Sequence, residues 1–216
     1  MRRASRNGEG ISWINERNLT DLDYADDLCV MAERVEDMNI LTEAVAREGG
    51  KVGLKINTRK TKVMSIGDIK APISLHGYDL EIVSHFTYLG SIVTEDGDVR
   101  GEAISRIGKA AAAYKKLNKV WKDRKLVLKT KFRLFNGIMI SVLLYGYETW
   151  KSLKDVELRM RRFESNCLRK ILRIRWQQHV TEGEVRRRSG QESVIGKISR
   201  RRWMYFGHIL RMPDGR

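Results

Sequence analysis

Two regimes of hydrophobic patterning follow one another along the 216 residues. In the first, apolar positions come in short runs. Leu19–Tyr24 and Leu28–Ala32 flank Ala25-Asp26-Asp27, a pattern that predicts a hairpin with the two acids at its tip. A helix should follow, with Met38, Leu41 and Val45 as its apolar positions and Gly49-Gly50 as its stop. Leu54–Asn57, Lys62–Ile66, Ile73–Leu75 and Phe86–Leu89 read as short strands, with turns at Gly77 and Gly90.

Beyond residue 98 the period lengthens to three and four. Ile104, Ile107, Ala111, Tyr114, Leu117 and Trp121 predict one helix. The stretch Leu126–Tyr145 is apolar nearly all round and predicts a buried one. Leu153, Val156, Met160, Phe163, Cys167, Ile171 and Ile174 mark a third, and Arg159, Arg162, Arg169 and Arg173 fall on another of its faces. Thr181 and Glu184 have the spacing of a capping box for a fourth. The aromatic residues Trp121, Phe132, Phe135, Trp150, Phe163, Trp176 and Trp203 lie on or beside these stripes, so core positions are expected for them rather than base-stacking ones. The fold class expected is α+β: hairpin, small sheet and helix in residues 1–98, then an all-α region in 99–216.

Charge sharpens this division. Residues 1–98 carry 12 Lys and Arg against 17 Asp and Glu, a net of −5, whereas 99–216 carry 30 against 10, a net of +20; together they give +15. A basic half of this size points to nucleic acid, or less often to an anionic membrane. Cys29 and Cys167 form no CxxC pair and the four histidines are scattered, so neither a disulfide framework nor a zinc site is expected, and a reducing compartment fits. The start, MRRASRNGEGIS, lacks the apolar core of a secretory signal, and the apolar stretch from Leu134 to Tyr147 is interrupted and too short for a bilayer. The nucleus or cytoplasm is expected, with no secretion and no membrane partner.

The chemical centre is Tyr24-Ala25-Asp26-Asp27. Adjacent carboxylates at a hairpin tip suit a divalent cation, because Mg²⁺ takes carboxylate oxygens together with substrate phosphates. A polar turn is the plain alternative, since Asp is common there. The surrounding segments carry more information. LTDLDYADDLCVMAE resembles the strand–turn–strand motif C of reverse transcriptases. GLKINTRKTKVMSIG resembles their motif D, and HFTYLGSIVTEDG their primer grip, with Leu89-Gly90 at the usual Leu-Gly. LLYGYETW, CLRKILRIRW and RRRWMYFGHILRMPD resemble the thumb and downstream tail of polymerases from LINE-type retrotransposons, which lack long terminal repeats.

The resemblance implies a partial palm in residues 1–98 and a basic helical thumb and tail in 99–216. It implies that Asp26 binds the catalytic metals, that Asp27 is a weaker or indirect ligand, and that Tyr24 packs near the primer end. Lys60 would match the motif D lysine that helps pyrophosphate leave; an ordinary solvated strand end is the other reading of it. Lys109, Lys115, Lys116, Lys119, Arg162, Arg169 and Arg173 would grip the phosphates of an RNA template and DNA primer, or be solvated surface charges. Motif A, with the first catalytic aspartate, and motif B normally precede motif C; the 23 residues before Tyr24 resemble neither. The chain also stops soon after Arg211-Met212-Pro213-Asp214, and a degenerate genomic copy or a partial gene model would both look like this. The expectation is a fragment of an RNA-directed DNA polymerase. It would be inactive alone and would hold Mg²⁺ only weakly, although the intact enzyme uses that ion. The alternative is a nucleic-acid-binding remnant without catalysis. A basic membrane-surface protein is a weaker third reading, because the apolar stripes are needed for packing. The oligomeric state is left open.

Overall fold

The computed structural model describes residues 10–12, 18–67 and 71–212. The expected basic start, Met1–Glu9, and the closing Pro213-Asp214 lie outside them. The chain forms two compact units, divided between Asp98 and Val99. The architecture is mixed α+β, and among the described residues every strand lies in the first unit.

In the first unit, alternating residues form short antiparallel pairs. They are β1 (Ile11–Ser12) with β2 (Asn18–Leu19), β3 (Asp21–Tyr24) with β4 (Asp27–Val30), β6 (Ser74–Leu75) with β7 (Tyr78–Asp79), and β9 (His85–Tyr88) with β10 (Ser91–Thr94). β5 (Lys62–Val63) and β8 (Glu81–Ile82) pair in parallel, and Lys62 and Glu81 form an ion pair across them. Among the described residues no third strand joins any pair. Helix α1 (Val35–Lys51) supplies the backing such small sheets need. Its Val35, Met38 and Ala46 pack, with Ile56 and Val63, on a core of Ile73, Leu75 and Leu80. Two expectations change here. The helix runs through Gly49-Gly50 to Lys51, and the amides of Val52 and Gly53 close it on the Gly49 and Gly50 carbonyls. Leu54–Asn57 forms no strand, and of Lys62–Ile66 only the first two residues pair.

The second unit is helical. It comprises α2 (Arg100–Lys116), α3 (Asn118–Lys122), α4 (Leu128–Leu134), α5 (Ser141–Leu143), α6 (Lys154–Leu172), α7 (Glu182–Ser189) and α8 (Val194–Leu210). Helix α4 passes into a π turn, Phe135–Ile140, before α5, so the expected single helix over 126–145 is rewound in its middle. Its inner residues Phe132, Phe135, Met139, Ile140, Leu143 and Leu144 meet Val156, Met160, Cys167, Leu168 and Ile171 of α6 in one core. Trp121 stacks on Tyr114 at 5.1 Å and donates its indole N–H to the Tyr114 carbonyl. The buried Lys131 ammonium donates to the carbonyls of Trp121 and Asp123, which satisfies the end of α3.

Helix α2 departs from its expected stripe. It buries Ala103, Arg106, Ala110 and Tyr114, while Ile104 is 55% exposed and Ala111 faces water. Arg106 lies on that inner face because Glu102, one turn earlier, accepts its Nε–H at 2.5 Å and the Tyr145 ring lies 4.4 Å from its guanidinium. The outer end of α8 departs too. Trp203, Met204, Tyr205, Phe206, Ile209 and Leu210 are all exposed, and Trp203, expected in the core, is 73% so.

Candidate functional site

The acid hairpin is tight. Tyr24 pairs with Asp27, leaving Ala25-Asp26 as a two-residue turn, so Asp26 sits at the tip and Asp27 opens β4. Ala25 has a φ of 56°, the left-handed value that the first central position of a II′ turn requires and that glycine usually supplies. For an alanine this costs roughly 1–2 kcal/mol. Directly paired residues of a hairpin share a face, so Tyr24 and Asp27 project together, as do Leu22 and Cys29. Asp26, Asp27 and Tyr24 are exposed, and among the described residues neither acid is tied up in an ion pair. Two free carboxylates suit part of a Mg²⁺ shell, since that ion takes one or two carboxylates plus phosphate oxygens. No group of three or more His, Cys, Asp and Glu side chains able to hold a metal forms among the described residues.

The Leu89-Gly90 turn belongs to the same unit and is also two residues long. Both residues have positive φ, 47° and 80°, the requirement of a type I′ turn. Tyr88, just before it, donates its hydroxyl to the Leu22 carbonyl of the acid hairpin at 3.4 Å. Burial raises the Tyr88 phenol above its ordinary pKa, and the negative charges of Cys29, Asp27 and Asp23 raise it further. Tyr88 therefore joins the two hairpins beside the acids. The sequence reading did not single it out; its place next to Leu-Gly in HFTYLG was the available signal. Lys60 lies in a turn closed on Asn57, its amide donating to the Asn57 carbonyl at 3.0 Å and to the side-chain oxygen at 3.2 Å. Its ammonium is exposed, and among the described residues no hydrogen bond or ion pair joins it to Asp26 or Asp27.

In the helical unit the expected phosphate-binding residues fall into two groups. Lys109, Lys115 and Lys116 on α2, Lys119 on α3, and Arg159 and Arg162 on α6 are exposed, and among the described residues they have no acidic partner. Arg169 and Arg173 are fasteners. Arg169 is half-buried and donates to the Val180 carbonyl at 2.8 Å, and Arg173 donates to that of Lys122 at 2.7 Å. Other cations are also used internally: Arg201 and Arg202 donate to the carbonyls of Leu144 and Trp150. Arg186 and Lys197 converge on the fully buried Glu164, at 3.1 and 3.6 Å. Trp176, expected in the core, is 79% exposed.

Among known proteins, an uncharacterized transposon-derived protein of Caenorhabditis elegans is 27% identical over 213 residues, covering 94% of this chain and 76% of the relative. This likeness points to a transposon-related origin. No protein-family model and no solved structure matches the chain. Among the described residues no helix is long and apolar enough to cross a membrane.

Proposed function

We propose that this chain is the motif C part of a retrotransposon reverse transcriptase palm together with its basic thumb. On this reading it binds a primer–template by its phosphates and does not extend the primer alone. One observation carries the reading. Two unpaired carboxylates stand at the tip of a strained two-residue hairpin, with Tyr24 beside them and Tyr88 tying the Leu89-Gly90 turn to the same hairpin. A turn that held acids only for solubility would have no need of an alanine at a left-handed φ. The transposon-derived relative supports the same origin.

Asp26, with Asp27 next to it, would hold Mg²⁺, which when bound supplies positive charge against the attacking and leaving oxygens of nucleotidyl transfer. Tyr24 would pack near the primer end, and Lys60 would offset charge on the departing pyrophosphate. Two-metal transfer calls for a further carboxylate, and no third metal-ligating side chain gathers around these two among the described residues. In the helical unit, Lys109, Lys115, Lys116, Lys119 and Arg162 are exposed cations available to phosphates. Arg169 and Arg173 contribute mainly by holding the connection after α6.

The test pairs primer extension on an RNA template with filter binding over a salt series. Binding should weaken with salt, log K falling by about 0.7 to 0.9 per phosphate contact for each unit of log salt. Replacing Lys115, Lys116, Lys119 and Arg162 with alanine should flatten that slope, whereas Asp26→Asn should leave binding nearly unchanged. Robust extension by the chain alone would overturn the inactivity, and salt-independent binding would overturn the thumb assignment.

A further inference from the structure

The connection between α6 and α7 holds a large aromatic ring out in water on a backbone with little freedom to move. It leaves α6 through Arg173, whose φ is 58°, makes a 3-10 turn over Trp176–Gln178, and passes through His179 at a φ of 44° to Thr181, the N-cap of α7. Nearly every residue of it is fastened. The Ile174 amide donates to the Arg169 carbonyl at 2.9 Å, the Arg175 amide to the Gln178 side chain at 2.9 Å, and the Gln178 amide back to the Arg175 carbonyl at 3.1 Å. Arg169 and Arg173 add the two long-range bonds to Val180 and Lys122. Ile174 and Val180 turn inward onto the core, while Trp176 between them is, among the described residues, the most exposed tryptophan.

The surroundings are cationic. From Lys170 to Thr181 the sequence has Lys170, Arg173, Arg175 and His179 and no acid. The Arg173 bond draws in the end of α3, which continues into Arg124 and Lys125; the acid there, Asp123, is occupied, its carboxylate accepting the Lys125 amide. Gln177 and Gln178 are exposed and polar, so Trp176 is a single ring among cations and amides, not part of an apolar face. A membrane-binding helix needs such a face, whereas an unpaired base needs one flat ring with cations placed for the phosphates on either side.

We propose that Trp176 stacks one unpaired base of a single-stranded nucleic acid, with the neighbouring phosphates lying along the exposed Arg175 and Lys122. This rests on the reading of the basic unit as nucleic-acid-binding and adds a preference to it: a strand end or overhang is held here, and a blunt duplex is not. Stacking is indifferent to base identity because every base has a flat face, so the site discriminates by pairing state rather than by sequence.

The experiment uses the full chain and fluorescence anisotropy, with a labelled oligothymidylate and a blunt duplex of the same length. Trp176→Ala should weaken binding of the single strand about 5- to 100-fold, the range found when a stacking ring is removed. It should leave duplex binding within about twofold and the salt slope unchanged, since no charge is lost. Trp176→Phe should recover much of the loss. An equal loss on both ligands, or no loss on the single strand while the unchanged chain binds both, overturns this inference and leaves the phosphate-binding reading intact. Failure of the unchanged chain to bind either nucleic acid overturns both. Binding to anionic vesicles that depends on Trp176, with no effect on the strand, assigns the ring to a lipid surface and overturns the proposal.

Discussion

The first unit closes on a buried core of Ile73, Leu75 and Leu80, whereas the second gathers 20 buried apolar residues from its helices α2 to α8 and the turns between them. The first also displays Leu22, Tyr24, Tyr78, Phe86 and Val93 on strands whose outer edges have no neighbour among the described residues. A two-stranded ribbon is at best marginally stable by itself. The units therefore differ in what they can do unaided. The helical one has the core to fold and to hold its cations in place. The strand-rich one holds its acids on a local turn geometry, with edges and apolar faces that a larger sheet would cover.

Truncating one large core side chain in each unit should show the contrast most clearly. Phe135→Ala, at a fully buried position, should cost about 3–5 kcal/mol. Urea unfolding followed by helical circular dichroism measures it, and a loss below about 1 kcal/mol would mean that the helical unit is looser than its packing implies. Leu75→Ala should hardly move that transition and should instead raise amide exchange along α1 and the β6–β7 pair that its side chain packs among. Thiol labelling gives a middle-sized effect. Burial pushes the Cys167 thiol up to about 12 and also raises that of Cys29, which is only partly buried. Iodoacetamide at neutral pH should modify Cys29 many times faster, with Cys167 reacting only as the helical unit unfolds. Comparable rates would erase the distinction between the units.

The smallest effect is electrostatic. Hydrogen bonds from Arg187 and Arg188 hold the Glu184 carboxyl at about 2, below its ordinary 4.5. A carboxyl lowered on folding stabilises the folded form above its unfolded value, and that contribution disappears as pH falls through the folded one. The stability difference between the chain and Glu184→Gln should therefore be present at pH 6 and close between about 4.5 and 2. Because Glu184 and both arginines are close to solvent, salt should shrink it.

The acids illustrate what patterning can reveal. Alternation on both sides of Asp26-Asp27 predicts a hairpin, and one is present, because short-range alternation and a polar break are sufficient to define it. The turn's composition is less transparent, since nothing in the residue types announces an alanine at a left-handed φ. Helix α2 differs from its expected stripe because apolar residues alone do not define its buried face. Ala103, Ala110 and a Glu102–Arg106 pair that neutralises itself make up the buried face, and Ile104 is left outside. The π turn at Phe135–Ile140 escapes a search that assumes 3.6 residues per turn. The apolarity of Trp176 and Trp203 predicts core positions, yet whether a ring points inward depends on how the helices are packed, which spacing alone does not determine. Arg169 and Arg173 look like phosphate ligands in sequence, yet they are consumed by carbonyls of residues 11 and 51 positions away, a relation no local pattern carries.

The bare end of α8 sets how this protein behaves in a test tube. Trp203, Met204, Tyr205, Phe206, Ile209 and Leu210 are spread around the helix rather than forming a stripe, so among the described residues much of this end's apolar surface meets solvent. Colloidal attraction between such surfaces grows with salting-out ions, whereas the grip of lysines and arginines on phosphates fades with ionic strength. The two trends oppose each other. At low salt the chain should stay dispersed by its own repulsion and cling to any polyanion; in concentrated sulfate it should release the polyanion and begin to cluster. Between these limits lies a range of ionic strength in which a monodisperse, nucleic-acid-free solution exists, and substituting polar residues at Trp203 and Phe206 should widen that range from its upper edge.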